Sequence, residues 1–114
     1  MQISNNYQPN FMGGKIDKQG LEVLSHRLPS GQFQKFIDRF EARHKDYGYK
    51  ITLGAGVGIK DRLDAMIHYG KDHFRYLEEG VISSIFSSPK KFMKRINRQI
   101  IKDITSITSK GHID

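Results

Sequence analysis

The chain has 114 residues, with 19 Lys and Arg against 12 Asp and Glu, no Cys, no Trp and 37% hydrophobic residues. That length makes one domain, large enough to bury a core without metal or disulfide staples. Without cysteine there is no disulfide framework, no Cys-ligated zinc, no iron–sulfur cluster and no thiol nucleophile, which agrees with a reducing compartment.

Residues 1–10, rich in Asn and Gln, read as a flexible N-terminal arm. They lack the positive start and apolar run of a secretory signal, so a cytoplasmic protein is expected. Residues 11–16 fit a short strand weakened by Gly13 and Gly14. Over 18–28, Leu21, Leu24 and Leu28 fall at helical spacing, with Asp17 as N-cap, Pro29 beyond the end and Gly20 as a blemish in the first turn. The clearest signal is Phe33, Phe36, Ile37 and Phe40, at i, i+3, i+4 and i+7 of a helix over 32–46. Ser30 is its expected cap, and Lys35, Asp38, Arg39 and Arg43 take the opposite face.

The period then changes. Tyr49, Ile51 and Leu53 alternate with Lys50 and Thr52, and Leu63, Ala65, Ile67 and Tyr69 alternate with polar neighbours, both patterns of half-buried strands. Gly70-Lys71 suits a type II′ turn, which would pair Tyr69 with Asp72, Ile67 with Phe74 and Ala65 with Tyr76. A rival reading runs one helix through 61–80, with Gly70 at its middle costing about 1 kcal/mol. The aromatic and β-branched content favours the hairpin. A final helix spans about 89–107, with Ser88 as N-cap and Pro89 in the first helical position. Phe92, Met93, Ile96, Ile100, Ile104 and Ile107 share one sector of it, and 108–114 read as a flexible tail.

The predicted fold class is therefore α+β: a single small domain over 11–107. It holds two N-terminal helices, a three-stranded antiparallel meander over about 49–79 and a long C-terminal amphipathic basic helix. The helical stripes would cover one sheet face. The other would carry Lys50, Arg62, His68, His73 and Arg75.

Charge is concentrated at one place. Residues 88–102 hold Lys90, Lys91, Lys94, Arg95, Arg98 and Lys102 and no acid, a charge of +6, while the rest of the chain carries +1. A surface helix that served only as structure would mix signs to gain i,i+4 pairs, so the segregation points to an anionic partner. A membrane-surface role would need the apolar stripe that the core requires. No apolar stretch approaches the roughly 20 residues of a bilayer span, so no membrane insertion is expected.

Other motifs carry less. Ser88-Pro89-Lys90-Lys91 resembles the Ser-Pro-Lys-Lys motif repeated in linker-histone tails, where it is associated with AT-rich minor groove. The resemblance covers four residues once, and capping chemistry accounts for Ser88-Pro89 without DNA. The run Gly54, Gly56, Gly58 has Ile59 where a dinucleotide fingerprint needs glycine, and Lys60 precedes Asp61 rather than Ser or Thr, so it reads as a strand connection. His26, His44, His68, His73 and His112 show no zinc spacing. In the expected register His68 would face His73, a pair read as solvated surface rather than a metal site. Asp61, Asp64, Asp72, Glu78 and Glu79 have no spacing that singles out a catalytic set.

The expectation is a non-catalytic cytoplasmic protein that engages a polyanion, foremost nucleic acid, through Lys90, Lys91, Lys94, Arg95, Arg98 and Lys102. No metal or cofactor is expected. The alternative is a small adaptor or inhibitor, of phage or mobile-element type, docking on an acidic partner. An enzyme, with a site around Asp61, Asp64, His68 and His73, is the third reading.

Overall fold

The computed structural model describes residues 13–45, 48–70 and 72–113, with side chains to Ile107. The expected arm over 1–10, the side chains of the expected tail and that of His112 lie outside the described residues.

The elements are β1 (Gly13–Ile16), α1 (Lys18–Arg27), α2 (Ser30–Arg43), β2 (Lys50–Ala55), β3 (Leu63–His68), β4 (Phe74–Glu78), α3 (Val81–Phe86) and α4 (Pro89–Ile113). The class is α+β, and the strands form one mixed sheet in the order β1-β2-β3-β4. β2, β3 and β4 pair antiparallel, so residues 61–80 are a hairpin and not a helix. The expected three-stranded meander is corrected by β1, which adds to β2 in parallel, Ile16 beside Leu53. Parallel neighbours need a crossover, and α1 with α2 supplies it.

Alternation settles which way the strands face. Ile51, Leu53, Leu63, Ala65 and Ile67 are fully buried, and they meet Leu24 of α1, Phe36 and Phe40 of α2, and Phe92, Ile96 and Ile100 of α4 in one core. At about 1.5–3 kcal/mol per large apolar side chain, this layer drives the fold. All three long helices thus share one sheet face, and among the described residues none covers the other.

Local chemistry accounts for the ends. Asp17 caps α1 by accepting from the Gly20 N–H at 2.8 Å, as expected. Gly20 is required there, because a Cβ at that position would lie 2.6 Å from the Leu53 carbonyl oxygen where α1 crosses β2. Ser30 does not cap α2: it is the first helical residue, behind Pro29, which makes no side-chain cap bond. The Ser88 hydroxyl accepts from the Lys90 N–H at 3.2 Å, and α4 runs on to Ile113, past its expected end at Ile107. The glycine run closes β2 and enters the turn to β3, with Gly58 at φ 87° and Asp61 at φ 59°. No helix starts there.

The β3–β4 register departs from expectation by one residue. The Tyr69 N–H donates to the His73 carbonyl, and His68, Ile67 and Ala65 pair with Phe74, Arg75 and Leu77. A shift of one flips the strand. Leu77 enters the core, Arg75 joins the helix side, and Phe74 and Tyr76 emerge on the uncovered face.

Candidate functional site

α4 is built as its period requires. Phe92, Ile96 and Ile100 are buried on one side. At 100° per residue, Lys90, Lys94, Arg98, Lys91, Lys102 and Arg95 span about 140° of the opposite circumference, along about 18 Å of axis. All six are exposed. Among the described residues the ion pairs are His26–Asp61, Arg27–Glu79, Arg62–Glu78 and Arg75–Asp103, so none of the six α4 cations has a carboxylate partner. Arg95 instead donates to the Glu78 carbonyl at 2.7 Å and lies 5.9 Å from the centre of the Phe92 ring.

The one acid of α4 does not offset this charge. Asp103 is buried and accepts from Arg75 at 2.8 and 3.1 Å, Gln99 at 2.9 Å and Tyr69 at 2.9 Å. Burial works against its ionised form, but those hydrogen bonds win and hold its carboxyl below the usual carboxylate range. The other expected acids are engaged separately. Asp61 meets His26 at 2.8 Å, Asp64 accepts from the Tyr76 hydroxyl at 2.7 Å, and Glu79 binds Arg27. Asp72 is exposed.

Sequence reasoning missed a second bank of cations. Lys35, Arg39 and Arg43 of α2, spaced four apart, line a cleft of about 320 Å³ with Gln32, Asn97 and Lys90 of the basic helix. Phe36, Phe40, Met93 and His44 form its floor. The i, i+4, i+8 spacing of the three α2 cations was the available signal; what lay opposite them was not.

His44 is 2% exposed, packs edge-on to Phe40 and hydrogen-bonds the Tyr49 hydroxyl at 2.8 Å. Burial first, and the neighbouring Arg43 charge second, push its pKa down to about 4. The unfolded chain therefore takes up a proton near pH 6.5 that the folded chain refuses, so His44 adds stability above pH 6.5 that is lost as pH falls towards 4. With allowance for solvent in the cleft the loss is on the order of 2 kcal/mol. Urea midpoints measured from pH 7 to 4 should fall accordingly, and His44→Gln should flatten that fall. Asp64, raised above the usual carboxylate range mainly by burial, acts with the opposite sign low in this window, and it is common to both chains.

The expected facing of His68 and His73 is overturned by the register: His68 sits across from Phe74, with ring centres 6.3 Å apart. The expected positive sheet face is also corrected. Lys50 and His68 are exposed, but Arg75 is drawn to Asp103, and Arg62 donates to the Glu79 carbonyl at 2.6 Å. Asp64 and His68 stand four residues apart on β3, about 13 Å along the strand, so they do not converge with Asp61 and His73 on one centre. No group of three or more metal-ligating side chains occurs among the described residues. No described helix is long and apolar enough to cross a membrane.

One further surface stands out. α3 turns Ser84 inward, where its hydroxyl donates to the Val81 carbonyl, and leaves Val81, Ile82, Ile85 and Phe86 between 48% and 80% exposed. Comparison with family models, curated proteins and solved structures returns no match, so the functional reading stands on this geometry and charge.

Proposed function

We propose that this protein is a non-catalytic binding protein for a polyanion, foremost nucleic acid, held on the outer face of α4. The observation that carries the reading is the outward arc of Lys90, Lys91, Lys94, Arg95, Arg98 and Lys102, with no carboxylate partner among the described residues. Leaving six cations without a counter-charge gains the isolated fold nothing beyond the Arg95 contacts, whereas phosphates release condensed counterions when they meet such a face. Lys35, Arg39 and Arg43 widen the positive field across the cleft. A cytoplasmic setting accords with the absence of cysteine.

Filter binding across a salt series tests this. Nucleic acid is expected to bind at low salt and to weaken steeply as salt rises; no binding at low salt, or affinity indifferent to salt, removes the proposal. A second reading, an adaptor for an acidic protein, draws on the exposed apolar side of α3 beside the basic helix, a surface that phosphates would not use. A pull-down partner that survives nuclease treatment would favour the adaptor.

A further inference from the structure

We infer that the uncovered sheet face is a base-stacking strip for single-stranded nucleic acid, with Phe74 and Tyr76 as its platform. This rests on the polyanion reading and names its ligand class. Across the sheet, Lys50, His68 and Phe74 form one row, and Lys15, Thr52, Met66 and Tyr76 the next. Phe74 is 65% exposed and Tyr76 44%. Two residues apart on β4, their rings leave the same face about 7 Å apart along the strand.

Rings open to water are what a single strand uses, and the cations of this face stand across β3 from them, Lys50 on β2 and Lys15 on β1. Every base has a face to stack, so binding tolerates sequence, while a duplex keeps its bases inside and gains nothing from the platform. Lys15 and Lys50 are exposed and have no ion pair among the described residues. The Tyr76 hydroxyl donates to Asp64 at 2.7 Å at the rim of the ring and leaves the ring face open. A second copy of the chain is a poor occupant, because each brings a charge of +7.

The strip also lies within reach of α4. Arg95 on the Glu78 carbonyl and Asp103 on Arg75 set the helix alongside β4, the edge strand. A backbone held by the α4 cations at that edge would lay its bases over Tyr76 and Phe74. The next row along the strands, Asp64 with Glu78, is acidic and lies where Arg95 anchors α4, so it repels phosphate beside Tyr76 and leaves the Phe74 end open to the backbone.

The test is fluorescence anisotropy with a labelled single strand of roughly 12 nucleotides and with its duplex. The wild type should prefer the single strand. Combined Phe74→Ala and Tyr76→Ala should weaken single-strand binding roughly tenfold or more and leave duplex binding unchanged. Tyr76→Phe should retain affinity. A 2-aminopurine base in the strand should lose fluorescence on binding the wild type and not the double variant. Should the alanine pair shift the thermal midpoint, Phe74→Leu tests the ring with its bulk kept. Unchanged single-strand affinity, or equal losses on strand and duplex, overturns the strip and leaves the polyanion reading standing. If the wild type binds neither, that reading falls and the strip with it.

Discussion

Glu79→Ala should cost about 3–5 kcal/mol of folding stability, as much as truncating a buried aromatic of the core. Glu79 is 1% exposed and holds Arg27 by both carboxylate oxygens. The same carboxylate accepts from the Leu63 N–H at 3.1 Å, while Arg27 also donates to the carbonyls of Asp61 at 3.1 Å and Ser87 at 2.8 Å. One ion pair thus ties α1 to the β2–β3 turn, the start of β3, the end of β4 and the link between α3 and α4. Removing the carboxylate leaves a guanidinium in the interior without its counter-charge, which is why the loss exceeds that of a surface pair. At about 4 °C per kcal/mol for a domain of this size, the thermal midpoint should drop by roughly 12–20 °C. Combining Arg27→Met with Glu79→Leu should recover part of the loss and not all of it, since the Leu63 N–H and two carbonyls would still lack partners. A single variant within 1 kcal/mol of wild type would show that the junction is not a fastener.

What could be read from the sequence was what depends on near neighbours. α2 and α4 announce themselves because their stripes repeat over several turns and Ser88-Pro89 marks a start. The Asp17 cap was legible for the same reason. β1 was half-legible: its residues suggest a strand, but its parallel partner β2 lies across two helices, and nothing local names it. The hairpin shows the limit most clearly. In Phe74-Arg75-Tyr76-Leu77 either alternating set reads as the buried one, and the aromatic set is the more hydrophobic. The choice is made 28 residues away, where Asp103 gives Arg75 a partner on the helix side and Leu77 falls in line with Ala65. Arg27 and Glu79 are 52 apart, so their pairing had no signal in spacing. Of the candidate site, the α4 cations and their outward arc were legible, because charge and helical period are both local. The α2 bank was visible as residues and invisible as a wall of the same cleft.

Replacing Lys91, Lys94 and Arg98 together by glutamine should remove about half of the salt dependence of nucleic-acid binding. These three are exposed and have no side-chain hydrogen bond or ion pair among the described residues, so their loss leaves the core and the cap of α4 intact. With six phosphate contacts, affinity should fall by roughly two to three decades between 50 and 200 mM salt, the lower figure for a single strand. With three contacts the fall should shrink to roughly one to two decades over the same interval. Stability should change by no more than about 0.5 kcal/mol, as for surface substitutions that break no cap or buried pair. The contrast with Glu79→Ala is the control: that variant should lose thermal midpoint and keep its salt slope while folded, whereas the triple variant should keep its thermal midpoint and lose salt slope alone. The slope matters more than the affinity, because each lost phosphate contact lowers it by about one whatever the sequence of the ligand. A triple variant with an undiminished slope would show that the ligand's phosphates lie elsewhere, and Lys91, Lys94 and Arg98 would then have no part in binding.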